Sequence, residues 1–322
     1  MKRFLVVVFL FLMLFNAYAG KNSTASNYYP KEEYLVATGY GKDIKSAELD
    51  AKNSISQLFA LEITSTTDRS AFEISKNDGV ESGDSFSTTV NATSKANELY
   101  GVMIAESKKE NNGTYSAVAV LNKAEASQHY LQLVNSEREE ILSLGNEVRS
   151  GIGSLGNTSK AVRYRELVAD YNLHAAAYNY LAGGSIEHIS RAEADSLVDN
   201  SFNSIVLSVA VKGDVDGSIE ASIGNTLTEL GFRVAKFDAR NKVDVDVSWR
   251  ESKKGKMYYV NYVATVAIKD TITGETNLEF IDRGREAHTT LENAYSRATR
   301  VIAKSFDEKI KAAIKYLGIQ GP

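Results

Sequence analysis

"YLVATGYGKDIKSAELDAKNSISQLFA", residues Tyr34 to Ala60, joins an apolar run to a Gly-x-Gly pair and then to a segment with helical spacing. Tyr34 to Thr38 reads as a buried strand, and Gly39 and Gly41 free the backbone where the chain turns sharply. From Asp43, which predicts an N-cap, apolar residues recur at Ile44, Ala47, Ala51, Ile55, Leu58 and Phe59, on one helical face. Strand, glycine turn and helix is also the order of a nucleotide-binding loop. A dinucleotide fingerprint, however, needs a third glycine where Ile44 stands, and an acidic residue about 20 positions later at the end of a second strand. A P-loop needs Gly-Lys-Ser/Thr, whereas Gly41-Lys42 is followed by Asp43, whose charge repels phosphate. The stretch reads as a structural corner, and no cofactor is expected.

Downstream, Ile63 to Ile74 reads as a Thr/Ser-rich strand and Lys76 to Asp84 as a polar loop. Leu99 to Lys108 and Thr114 to Leu121 predict two more strands, joined at Asn112-Gly113, where both turn positions want positive φ. Residues 30–123 thus form a first α+β domain, a helix over an antiparallel meander.

Ala124 to Ser150 and Ser159 to Ala182 read as two long helices with apolar seams that include Tyr130, Val134, Ile141, Leu144 and Val148, then Tyr164, Leu167, Tyr171, His174, Tyr178 and Leu181. Gly151 to Asn157 ends the first, and Thr158 or Ser159 caps the second. The spacing predicts an antiparallel, coiled-coil-like hairpin over 124–182, free to project as an arm. An aromatic stripe at helical spacing is read as packing, as is His174, and Glu137, Glu139 and Glu140 as a solvated face.

After a linker over 183–203, with a short helix at Arg191 to Val198, a second domain spans 204–317. Strands are expected at Ile205 to Val211, Phe232 to Phe237, Val243 to Arg250, Met257 to Lys269 and Asn277 to Arg285. Helices are expected at Ile219 to Leu230, capped by Ser218 and closed by Gly231, and at Leu291 to Leu317 with Ala294, Ala298, Val301, Ile302, Phe306, Ile310 and Ile314 on one stripe. The fold class is α+β: two sandwich domains, each a helix layer on a mostly antiparallel sheet with the same order of elements, joined by the helical hairpin.

Gly39-x-Gly41 with Ala47, Ala51 and the Leu58 to Ile63 exit, then a hairpin ending in Tyr115-x-Ala117-x-Ala119 before a long helix, resembles the domain of the twenty-kilodalton outer-membrane lipoproteins, the LPP-twenty family. A similar domain opens the flagellar assembly protein T family. The resemblance covers residues 30–123 and implies an envelope protein without catalytic residues. Many relatives carry lipid on a cysteine, whereas this chain has Gly20 at that place and no cysteine at all, so a lipid anchor is not expected.

Lys2-Arg3, the apolar run Phe4 to Phe15 and Ala17-Tyr18-Ala19 read as a cleavable secretory leader, residues 1–19, followed by a flexible 20–29 and closed at the far end by a tail, 318–322. The run is shorter than the roughly 20 residues a spanning helix needs, so an integral membrane protein is not expected. A net charge of −4 argues against nucleic acid and against an anionic surface. Metal and nucleophile patterns fail. Asp214-Val-Asp216-Gly217 would place Lys212 and Ile223 at essential calcium-ligand positions, and His129, His174, His188 and His288 are scattered. Gly151 to Gly156 lies at a helix turn, without the strand that precedes a nucleophile elbow. The reading is a non-catalytic exported envelope protein, with no catalytic, cofactor or metal residues, whose partners are other envelope or outer-membrane proteins, copies of itself or peptidoglycan. Two alternatives are a glycan-binding module using some of the seventeen tyrosines, and a hydrolase joining His288 to Asp282 or Glu286.

Overall fold

The computed structural model describes residues 28–78 and 99–316; the leader, residues 20–27, most of the loop read at Lys76 to Asp84 and the tail lie outside the described residues. The chain divides into two compact units, residues 1–135 with 171–188 and residues 136–170 with 189–322.

Unit one is built on strands β1 (Tyr34–Gly41), β2 (Met103–Lys109) and β3 (Tyr115–Asn122), antiparallel in the order β1-β3-β2. Helix α1 (Ile44–Asp78) follows β1 directly. Its start is the expected one: Ser46 N donates to Asp43 Oδ1 at 2.7 Å while Asp43 N donates to Ser46 Oγ at 3.2 Å, a reciprocal cap. The Ser46 amide, and then the Ser46 hydroxyl donating to Asp43 Oδ1 at 2.9 Å, hold the Asp43 carboxyl below its ordinary range. The buried stripe is Ala47, Ala51, Ile55, Phe59 and Ile63; Ile44 and Leu58, expected on it, are about half exposed. The strand read at Ile63 to Ile74 is instead helix. Once a helix is nucleated, each further Ser or Thr costs only a few tenths of a kcal/mol, so the β-branched run propagates it.

Gly39 and Gly41 serve a different purpose from the one expected. Neither takes a positive φ. A Cβ at Gly39 would collide with Ala51 N and come 2.5 Å from Ala47 O, and one at Gly41 would come 2.5 Å from Ala47 N. The first turns of α1 therefore rest directly on bare strand backbone. The β2–β3 turn also departs from expectation, because only Gly113 has positive φ, at 83°. Gly113 N donates to Glu110 O and Glu110 N to Thr114 O, a type I turn with a glycine bulge, which needs one left-handed residue rather than two.

Helix α2 (Lys123–Ser150) starts without a loop, since Asn122 Oδ1 accepts from Ala124 N and Glu125 N. Helix α3 is Thr158–Ala182. Within unit one, Ala126 and Tyr130 of α2 and Ala176, Ala177 and Leu181 of α3 complete the core around α1.

Unit two holds the other halves of these helices, where Lys160 pairs with Glu147 at 2.8 Å and Arg163 with Glu140 at 3.7 Å. Helix α4 (Arg191–Asn203) is longer than the short helix expected in a linker. Ser190 caps it, and Ala194, Val198 and Ser201 are buried. Strands β4 (Val206–Lys212), β5 (Arg233–Ala235), β6 (Asn241–Lys254), β7 (Met257–Asp270) and β8 (Thr276–His288) form one sheet in the order β5-β4-β6-β7-β8. β4 is parallel to both β5 and β6, so this sheet is mixed; the order strand, helix, strands, helix expected in both halves is present, but the pairing differs, because β1 pairs antiparallel with β3. Helices α5 (Ser218–Glu229) and α6 (Leu291–Tyr316) bury Ile219, Ile223, Leu227, Ala294, Ala298, Ile302, Phe306, Ile310 and Ile314 on one sheet face, while Val301 stays outside.

The turn between α2 and α3 does not project. Leu155 is fully buried in the core with Ile205 and Leu207. Buried Asn241 at the start of β6 donates to Gly153 O at 2.7 Å and accepts from Leu155 N at 2.8 Å, and Arg240 Nη1 donates to Ile152 O at 2.9 Å. Apolar burial and satisfied backbone groups together hold the turn in the unit. Arg240 Nε also bonds Asp270 at 2.9 Å. Burial pushes the Asp270 carboxyl up, but hydrogen bonds from Ser154, the Ile272 and Thr273 amides and Arg240 outweigh it and hold the group at about 2. A depressed carboxylate stabilises the fold above its unfolded value, near 3.8, and loses that contribution as pH falls toward 2. Asp270→Asn is expected to flatten the acid limb of a pH–stability curve between about pH 4 and pH 2, measured by urea unfolding. An unchanged limb would show that other carboxylates carry it.

Candidate interaction surfaces

The features weighed as chemistry in the sequence resolve as structure. At Asp214 to Gly217, Asp214 Oδ2 accepts from Glu220 N at 2.9 Å, and Asp216 Oδ1 from Ser218 N at 3.1 Å and Ser218 Oγ at 2.6 Å. Two carboxylates, and not Ser218, thus cap α5, whose N-cap Gly217 has φ 76°. They also fill the helix end that would otherwise attract a phosphate. Ser218 bonding holds Asp216 below the usual carboxylate range.

Tyr130, Tyr164 and Tyr171 are buried as packing residues, and burial pushes the Tyr130 hydroxyl up. His129 stacks on Tyr100 at 3.9 Å between centroids, and His174 lies 5.8 Å from Tyr130. His288 Nδ1 faces Thr289 and Thr290 at the start of α6. Asp282 pairs with Lys309 at 3.4 Å and stands six residues along β8 from His288, about 20 Å away, so those two cannot act together. Glu286 shares a strand face with His288, but among the described residues no hydrogen bond or ion pair joins the two. No group of three or more His, Cys, Asp or Glu among the described residues is placed to hold a metal.

Two surfaces remain. In unit one α1 covers the sheet face of Leu35, Ala37, Gly39, Ala117, Ala119 and Leu121. The opposite face carries Val118 and Val120, packed with Tyr29, Tyr34 and Val36 in a cluster separate from the main core. At its margin Tyr40 and Met103 are each more than half exposed. Charged side chains on this face lie on β2, at Glu106 and Lys108, and just past its end at Glu110, which pairs with Lys108 at 3.6 Å. An apolar centre with Tyr and Met and a charged rim is the composition of a protein–protein contact.

In unit two β4 pairs with β6 only as far as Lys212↔Asp246. Beyond it β6, β7 and β8 continue as a three-stranded tongue to Lys254↔Met257 and Tyr258↔His288. Gly255, at φ 62°, opens the two-residue turn at its end. On the tongue's α6 side Trp249 lies 5.1 Å from Tyr295 and 6.2 Å from Tyr262, and its Nε1 donates to Gly213 O at 2.6 Å. Tyr295 donates to Glu251 at 2.6 Å, and burial, then that carboxylate, push its hydroxyl up to about 12. Tyr262 lies over Gly284, where any side chain would meet its ring. This aromatic group extends the core toward the tip.

Among the described residues no helix is long and apolar enough to cross a membrane. No family model matches the chain, so neither the LPP-twenty domain nor that of flagellar assembly protein T is shown by it, and no curated protein matches. Solved structures that are similar include the secreted protein HP1454 of Helicobacter pylori, at 13% identity, covering 88% of this chain and 98% of that one with a TM-score of 0.39. A minor lipoprotein from Acinetobacter baumannii matches at 14% identity over 38% and 96% of the two chains, TM-score 0.27. The PelC dodecamer from Paraburkholderia phytofirmans matches at 25% identity over 32% and 85%, TM-score 0.23.

Proposed function

We propose that this chain is a non-catalytic, exported bacterial cell-envelope protein of the LPP-twenty type that works as a structural or assembly factor through protein–protein contact. The observation that carries the reading is the second face of the unit-one sheet, where Val118 and Val120 sit behind Tyr34, Val36, Tyr40 and Met103 with the charges confined to the edge strand. The leader-like residues 1–19 and the Gly39-x-Gly41 resemblance supply the compartment and the type. The occupant is another envelope protein presenting aliphatic and aromatic side chains, since an uncharged, tyrosine-lined centre matches that chemistry and not a polyanion.

Tyr40→Asp with Met103→Asp places charge at the exposed margin without touching the core. In-cell crosslinking is expected to recover an envelope partner with the natural chain, and at least about tenfold less with the double variant at equal abundance. Equal recovery by both chains would sink the proposed face. Recovery only of uncrosslinked monomer under several extraction conditions would sink the function.

A further inference from the structure

In the tongue of β6, β7 and β8, strand alternation confines the acids to one side. Its three acids, Glu251, Asp282 and Glu286, all fall on the α6 side, with Trp249, Tyr258 and Tyr262. The outer side carries Arg250, Lys254, Arg283 and Arg285 and no acid, interleaved with Tyr259, Asn261 and Val263 and with Met257 at the tip. Arg250, Asn261 and Arg285 are direct neighbours across the three strands, which sets the two guanidinium-bearing positions about 10 Å apart. Among the described residues none of the four cations has a carboxylate partner, whereas two acids lower on the same side are paired, Asp246 with Lys212 at 3.2 Å and Asp244 with Lys242 at 3.0 Å. Lys256 adds charge at the turn, while Lys253, on the α6 side, sits 4.5 Å over the Tyr258 ring; Arg285 lies 4.1 Å over the Tyr259 ring. Like charges gathered across neighbouring strands destabilise a sheet, so the fold gains nothing from collecting them.

We propose that this outer side docks on an anionic lipid bilayer. The side is a flat array and no buried polar group closes round a single ion, so a surface of many anionic headgroups suits it better than one small anion. Val263, 40% exposed, and half-buried Met257 and Tyr259 supply the apolar and amphipathic contacts that an interfacial site adds to its cations. The net charge of −4 hides the array because it averages over the whole chain.

The test is co-sedimentation of the whole protein with phosphatidylcholine vesicles containing roughly 30% phosphatidylglycerol, beside pure phosphatidylcholine vesicles, at about 0.05 M and 0.5 M salt. Binding is expected only to the acidic vesicles and only at low salt. The triple substitution Arg250→Gln, Arg283→Gln and Arg285→Gln is expected to weaken it on the order of 100-fold, at roughly fivefold per cation. The same sites changed to Lys should stay within about fivefold of the natural chain, which shows that charge and not folding is read. Lys42→Gln, Lys45→Gln and Lys52→Gln, which remove equal charge from unit one, should change it less than about twofold. Equal binding by the arginine triple, or no pelleting of the natural chain with acidic vesicles at low salt, overturns the proposal. So does tight binding of soluble polyphosphate or heparin with no vesicle binding, which would assign the array to a soluble polyanion.

Discussion

Asn241→Ala is expected to lower the unfolding free energy of unit two by roughly 3–4 kcal/mol. The side chain is fully buried and makes three bonds at once, donating to Gly153 O and Val206 O and accepting from Leu155 N. Alanine takes the partner from the buried Leu155 N and from the partly buried Gly153 O and Val206 O, and an orphaned buried group costs on the order of 1–3 kcal/mol. The loss spreads, because the same turn seats Leu155 in the core. Leu155→Ala alone is expected to cost about 3 kcal/mol through the cavity it opens. The single tryptophan, Trp249, lies in unit two and reports the transition by fluorescence in urea. A loss below about 1 kcal/mol for Asn241→Ala would mean that water replaces the amide and that Leu155 and the Arg240 bond to Ile152 O hold the turn.

Gly39→Ala is the larger perturbation of unit one. Its methyl would meet main-chain atoms of Ala51, Ala47 and Asp50, not the flexible end of a side chain, so α1 has to lift from β1. The buried stripe Ala47, Ala51, Ile55, Phe59 and Ile63 lifts with it. A cost of at least about 3 kcal/mol is expected, beyond the usual range for one added methyl in a core that can repack. Gly113→Ala is the control, since its turn has open space for the methyl and only the left-handed backbone opposes it, at roughly 1–2 kcal/mol. Far-UV circular dichroism in urea measures both. Equal effects at the two positions would refute the close approach of α1 to β1.

Periodicity made most elements legible, because burial on one side of a regular element repeats in the sequence. Val243, Val245 and Val247 alternate and are buried, and the stripe from Ala294 to Ile314 is buried except for Val301. The reading failed where a local preference was outvoted. Ile63 to Ile74 has strand propensity yet continues a helix already formed. Ser218 looked like a cap, but the helix already includes it, and Asp216 and Asp214 accept from the Ser218 and Glu220 amides. Gly39 and Gly41 read as freeing a sharp turn, whereas the helix that forbids a side chain there is named only by packing.

The candidate surfaces were less legible than the elements. The alternation from Val243 to Arg250 and the strand from Asn277 to Arg285 are legible in the sequence, and so is the sign of each charge. Only strand pairing brings Arg250 and Arg283 to one side, more than thirty residues apart in the chain. The uncovered face of Val118 and Val120 has the same origin, because a strand's residues show which side they share but not which side a helix will cover.

Local patterning therefore set the strands, the helices and the caps at Asp43 and Asn122, since these depend on neighbours within a turn or two. Long-range packing alone set the parallel pairing of β4 with β6, the seating of Leu155 in the second unit and the gathering of unpaired arginines on one side of the tongue. Those depend on which surfaces bury each other, and no window of sequence contains both partners.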